Sequence, residues 1–179
     1  MNGNLSIVVE GVDGTGKSSI SKELAKSLNA TYYRCPPKVM MPLRKCADGA
    51  PYLFRYLYYL IGNFIAQKEI RSFLKKTTVI CDWYVFSTIA YHSVLLNKNL
   101  QLPNILMPDK LVYLSATRDQ VKRRLEERQV KSKFEDLDFL EKVKLKYEEL
   151  LSKYLTVLRI DTTNKTLDMA VIELLQMIK

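Results

Sequence analysis

The chain has 179 residues, enough for one domain with its own core, and 47% hydrophobic with 26% charged residues is the balance of an ordinary folded protein. No apolar run approaches the ~20 residues of a membrane helix, and three cysteines without paired spacing plus a single histidine, His92, leave little for a zinc site or Cys–His catalysis. The net charge of +9 suits a field that draws in anionic nucleotides; Lys and Arg are scattered rather than massed in one run, so a nucleic-acid partner is not expected.

In chain order, Leu5–Val9 is an apolar strand leading directly into Glu10–Ser19, EGVDGTGKSS. The lead-in is too short for a signal peptide, which points to a cytoplasmic location. Gly11, Gly16, Lys17 and Ser18 hold the spacing G-x-x-x-x-G-K-[ST], and a helical pattern over about Lys17–Leu28 follows. A strand that ends in such a turn aims successive backbone N–H groups at one point, and the helix adds its positive end. Polyphosphate is the expected occupant. Lys17 reaches the β/γ-phosphates and the Ser18 hydroxyl sits on Mg²⁺, with Gly14, Thr15 and Ser19 completing an ATP cradle.

Ala30–Tyr33 is a short second strand, broken by Arg34-Cys35-Pro36-Pro37, where proline removes a donor and Arg34 and Lys38 make the loop basic. The stretch from Pro42 to Pro51 carries no clear pattern. Tyr52–Leu74 reads as a long helix, and Tyr52, Phe54, Tyr56, Tyr58 and Tyr59 cannot all share one of its faces, so some point to a cleft or to solvent. Thr77–Asp82 is a strand ending in a carboxylate, at the end of an open α/β sheet where ligands bind. A helix over Phe86–Leu96, a strand over Leu111–Leu114 and a helix over Arg118–Arg128 come next.

The tract Arg128–Lys133 is polar and basic, suited to a mobile lid in which Arg124, Arg128, Lys131 and Lys133 form a closing cation clamp. Leu137–Leu151 is helical, Val157–Ile160 a last strand and Thr166–Ile178 a closing helix. Strands alternating with helices predict an α/β, P-loop NTPase-like three-layer sandwich: a mostly parallel sheet, helices on both faces and a short lid, in one domain over 1–179.

These residues also carry a family likeness. EGVDGTGKSS resembles the phosphate loop of thymidylate kinases. Arg34-Cys35-Pro36-Pro37-Lys38 resembles their acceptor-phosphate segment R-x-P-x-R, and Asp82-Trp83-Tyr84, with Ser87, Ala90 and Tyr91, resembles D-R-Y-x-x-S-x-x-A-[YF]. Pro108-Asp109 with Tyr113-Leu114, Lys133-Phe134-Glu135 and Asp161-Thr162 follow in the family's order. The resemblance implies ATP- and Mg²⁺-dependent phosphoryl transfer to a nucleoside monophosphate, dTMP or a related pyrimidine deoxynucleotide.

It assigns Lys17, Asp82, Arg128 and Lys133 to catalysis and Ser18 and Asp82 to the metal. Asp13 goes to the acceptor sugar's 3′-hydroxyl or to Mg²⁺, Lys38 to the acceptor phosphate, and Tyr58 and Tyr91 to the base pocket, with Asn63 near the base edge. Arg124 and Asp161 go to the ATP end. Members commonly form homodimers, which implies a second copy and makes the long aromatic helix a candidate contact.

Three positions depart from the pattern: Trp83 stands where the motif has arginine, Gly62 where an arginine reads the thymine edge, and Lys133 where the lid has arginine. Two alternatives stand beside this reading. A deoxynucleoside kinase shares the fold class, although it too wants an acidic–Arg pair at Asp82-Trp83. A catalytically weak nucleotide-binding module with a basic surface is the other.

Overall fold

In the computed structural model, which describes residues 3–128, 134–154 and 156–178, five strands form one parallel sheet. They are β1 (Ser6–Gly11), β2 (Thr31–Arg34), β3 (Val79–Asp82), β4 (Lys110–Ser115) and β5 (Val157–Asp161), ordered β2-β3-β1-β4-β5. β1 lies at the centre and is buried along its whole length, which is why it reads as a continuous apolar run rather than an alternating one.

Side chains of β1 divide between two cores. Ile7 and Val9 pack with Ile20 and Leu24 of α1 (Lys17–Ser27) and Leu174 of α7 (Leu167–Ile178). Val8 joins the opposite core, with Phe86 and Ile89 of α4 (Val85–Leu96) and Val143 and Tyr147 of α6 (Leu137–Leu151). Helices thus cover both faces, giving the three layers the alternation predicts.

The patternless stretch is ordered: a 3-10 turn over Lys38–Leu43 runs into the short helix α2 (Arg44–Gly49). α3 (Tyr52–Leu74) has the expected bounds, and its buried residues Arg55, Tyr59, Gly62, Asn63, Ala66 and Ile70 recur at helical spacing. α5 (Arg118–Glu126) ends two residues short of Arg128. Most of the expected lid, with Lys131 and Lys133, lies outside the described residues.

Strand register then sets the chemistry-bearing edge. Val9 pairs with Asp82, Arg34 with Asp82, and Gly11 with Leu114, so the loop after β1, the carboxylate of β3 and the basic segment after β2 meet at the carboxyl end of the sheet.

Candidate functional site

The loop after β1 needs its glycines for space. A Cβ on Gly11 would lie 2.4 Å from the Leu114 carbonyl oxygen, and one on Gly14, whose φ is +87°, would lie 2.9 Å from Val121 Cγ1. Gly16, at φ +91°, is the N-cap of α1 and offers no side chain to its first N–H groups. By contrast, Thr117 caps α5 and Asp136 caps α6. The uncapped start of α1 leaves its donors free for an anion.

Lys17 is buried here, its Nζ donating to the Val12 carbonyl at 2.8 Å and lying 3.5 Å from Asp13 Oδ1. Ser18 is half-buried at the cleft wall, whereas the Thr15 hydroxyl is spent on the Val12 carbonyl at 2.8 Å.

A cavity of about 460 Å³ opens from this loop. Asp13, Lys17 and Ser18 line one part of it; Arg34, Arg44, Arg55, Asp48, Tyr59, Trp83, Tyr91 and Phe134 line the rest. Tyr91 joins the two parts, its hydroxyl accepting from the Asp13 N–H at 3.0 Å, and burial pushes that phenol well above its ordinary pKa. Trp83 holds φ +72°, unusual for a bulky residue, and its indole lies 5.4 Å from the Tyr91 ring with Lys17 Nζ 5.8 Å from its centroid. The motif position thus supplies an aromatic wall instead of a guanidinium.

The cations come from elsewhere. Arg55 is buried on α3: Nε donates to Asp48 Oδ1 at 3.2 Å and Nη1 lies 2.9 Å from His92 Nε2. Its guanidinium lies 4.0 Å from the Phe134 ring centroid and 4.8 Å from that of Tyr59. His92 Nδ1 sits 2.7 Å from the Thr88 carbonyl, which fixes Nδ1 as the donor and leaves Nε2 to accept from Arg55. Burial, then the Arg55 charge, holds this imidazole down at a pKa of about 4. Asp48 also accepts from the Tyr59 hydroxyl at 2.8 Å and lies 3.5 Å from Arg44 Nε.

A second cavity, about 380 Å³, shares Gly14, Gly16, Ser19 and Arg128 with the first and runs on past Arg124, Thr162 and Lys165. Arg124 pins it, donating to Thr162 Oγ1 at 3.0 Å, the Thr162 carbonyl at 2.7 Å and the Gly14 carbonyl at 3.3 Å. Asp82 is buried; Oδ2 accepts from the Tyr32 hydroxyl at 2.8 Å while Oδ1 has no hydrogen-bond partner among the described residues. An orphaned carboxylate oxygen beside a phosphate loop suits a cation or its bound water. Among the described residues no three metal-ligating side chains cluster.

Behind the site, Glu10 is fully buried and accepts from the Tyr84 and Ser87 N–H groups, the Ser87 hydroxyl and the Tyr147 hydroxyl. It ties β1 to α4 and α6. Burial raises its carboxyl to a pKa of about 7 against those bonds.

The structure gathers Asp13, Gly14, Gly16, Lys17, Ser18, Ser19, Tyr91 and Arg128 at the first cavity and Arg124 at the second. Gly11 and Asp82 line neither of these two cavities, and four further residues expected at the ligands lie elsewhere. Lys38 is exposed on the 3-10 turn and does not line the cleft. Tyr58 donates to the Met40 carbonyl at 2.6 Å, because Tyr59, a further 100° around the helix, takes the cleft face. Asn63 is buried, its Nδ2 donating to Thr88 Oγ1 at 2.8 Å. Asp161 is exposed and accepts from the Thr163 N–H at 2.8 Å, while Thr162 lines the second cavity.

Lys133 lies outside the described residues. Gly62 faces the proline loop, where a Cβ would sit 3.2 Å from Pro36 Cβ. Arg44, Asp48, Arg55 and Tyr59 were not singled out by sequence as site residues. One signal was available: Arg55 is the lone charged residue between Tyr52 and Gln67.

Comparison with known proteins agrees with this geometry. The family model described as Thymidylate kinase matches residues 9–171. A probable thymidylate kinase of Methanocaldococcus jannaschii is 34% identical over 174 residues, covering 92% of this chain and 90% of that one. The thymidylate kinase structure from Candida albicans superposes with a TM-score of 0.78 at 20% identity, covering 98% of this chain and 91% of that one. Deoxyadenosine kinase from M. mycoides follows at 0.70 and 19%, covering 96% and 97%. At such identities the likeness to the solved structures is one of fold.

Proposed function

Since the chain belongs to the thymidylate kinase family, we propose that it moves the terminal phosphoryl group of ATP, with Mg²⁺, onto a nucleoside monophosphate, dTMP or a related pyrimidine deoxynucleotide. The observation that carries this is one cleft joining a free helix N-terminus and buried lysine to a pocket that is both aromatic and basic. A phosphate loop alone serves hydrolysis as well as transfer; a second anion site facing it is what transfer requires.

In this reading the two cavities divide the substrates. ATP lies along the glycine loop, with its base end toward Arg124 and Thr162. Lys17 and the α1 N–H groups absorb charge on the transferred group, and Arg128 adds a further cation at the cleft. Ser18 and Asp82 would hold Mg²⁺, which would neutralise phosphate charge. Arg34 takes the acceptor phosphate in place of the outward Lys38, while Asp13 and Tyr91 meet the sugar. An acceptor phosphate oxygen forms the new bond to the γ-phosphorus, the bond to the bridging oxygen breaks, and ADP leaves. No side chain has to remove a proton. Tyr91 and Trp83 wall the cleft and help exclude water.

A nucleoside acceptor would leave Arg34 without an anion, which disfavours a deoxynucleoside kinase. We infer too that the enzyme is cytoplasmic and pairs as a homodimer through α3, whose Leu53, Leu57, Ile61 and Phe64 form an exposed apolar stripe. A coupled assay of ADP release with dTMP, dUMP, dCMP and thymidine tests the reaction. Release with a monophosphate supports it; release with thymidine alone, or none while ATP still binds, overturns it.

A further inference from the structure

We propose that Arg55 is a specificity-determining residue that reads the carbonyl edge of the acceptor base. The inference rests on the kinase reading above and deepens it. A guanidinium has five N–H groups and no acceptor. Asp48 takes one from Nε and His92 one from Nη1, while no described residue accepts from Nη2. The side chain is buried along its stem, but its guanidinium lines the cleft, so the remaining donors open onto that space and are available to a ligand that supplies acceptors.

Its surroundings select the kind of ligand. Phe134 and Tyr59 flank the guanidinium with rings, which makes the slot suited to a flat group. Asp48, 3.2 Å from Nε, already neutralises the charge, so the pair suits an uncharged base edge and repels a phosphate dianion. Arg34 is the contrast: it is exposed, it lines the same cleft, and no described carboxylate pairs with it. Arg34 is therefore the better phosphate partner and Arg55 the base reader.

His92 completes the arrangement. Its Nδ1–H is spent on Thr88, so Nε2 holds Arg55 from the side and fixes the direction of the remaining donors. A fixed, donor-only edge accepts the carbonyls of thymine, uracil or cytosine and is mismatched to the amino-substituted edge of adenine.

The test measures dissociation constants of dTMP, dUMP, dCMP and dAMP for the full chain, wild type against Arg55→Met and Arg55→Lys, with ATP affinity and melting temperature alongside. Wild type is expected to rank pyrimidines above dAMP. Arg55→Met should lose ~10- to 100-fold for the preferred base and much less for dAMP, flattening the ranking. ATP affinity should not change. Arg55→Lys keeps the charge but not the fork, so it should flatten the ranking too, and it decides the matter if the methionine variant fails to fold.

A wild type without ranking, or variants that lose the same factor for every acceptor, overturns the proposal. Failure of the kinase reading looks different: a base ranking that depends on Arg55 with no ADP released from any monophosphate.

Discussion

Glu10 has no solvent contact and sits among donors from Tyr84, Ser87 and Tyr147. Its folded pKa of about 7 lies above the ordinary 4.5, so the folded state holds the proton more tightly. The stability this contributes is fully present below pH 4.5 and is lost as pH rises through about 7, amounting to at most about 3 kcal/mol. Urea unfolding should therefore show the wild type's stability relative to Glu10→Gln falling between pH 5 and pH 8; a constant or growing difference contradicts the assignment.

His92 runs the other way. Its folded pKa of about 4 lies below 6.5, so its contribution is present above pH 6.5 and fades as pH falls toward 4. Because it is the single histidine, its ring resonances should stay at neutral-imidazole values at pH 5, and a protonated ring there would break the Arg55 contact described above. Gly11 is a third test. Gly11→Ala drives a Cβ into the Leu114 backbone and should cost ~1–3 kcal/mol of stability together with most ATP affinity. A variant of unchanged stability would show that β1 and β4 can part at no cost.

Among the elements, α3 shows why the sequence was only partly legible. The phosphate loop could be read because its string, its preceding strand and its following helix all agree. α3 is apolar nearly all round, so hydrophobic spacing cannot choose its inner face. The face it buries carries Arg55 and Asn63, while Leu53, Phe54 and Ile61 stay exposed, the reverse of the usual pattern. One residue of helix, from Tyr58 to Tyr59, decides which ring enters the cleft. α2 escaped for another reason: six residues between prolines give no period to detect, yet it delivers Arg44 and Asp48.

The exposed face has its own consequence. In the proposed homodimer Leu53, Leu57, Ile61 and Phe64 would meet their copies across a two-fold axis, so Ile61→Glu should convert a dimer into a monomer in sedimentation velocity. A wild type already monomeric at micromolar concentration would refute the pairing.

At the scale of the whole molecule, the parallel sheet brings β1, β2 and β3 to a common edge, and everything chemical hangs on that edge. Two cavities meet at Gly14, Gly16, Ser19 and Arg128, so a group held by the loop faces whatever occupies the pocket beyond Trp83. Alternation of strands and helices was enough to foresee this architecture, whereas the lining of the acceptor pocket depended on packing between α2, α3 and α4.

Tracing the phosphorus tests that architecture most directly. Purified protein is given ATP labelled at the γ-position, Mg²⁺ and dTMP, and the products are separated. The account predicts label in the β-phosphate of dTDP, abolished in Lys17→Ala, which loses a buried charge-stabilising donor and should fall ~10²- to 10³-fold or more. Label appearing only as inorganic phosphate, or dTDP formed equally well by Lys17→Ala, would contradict it.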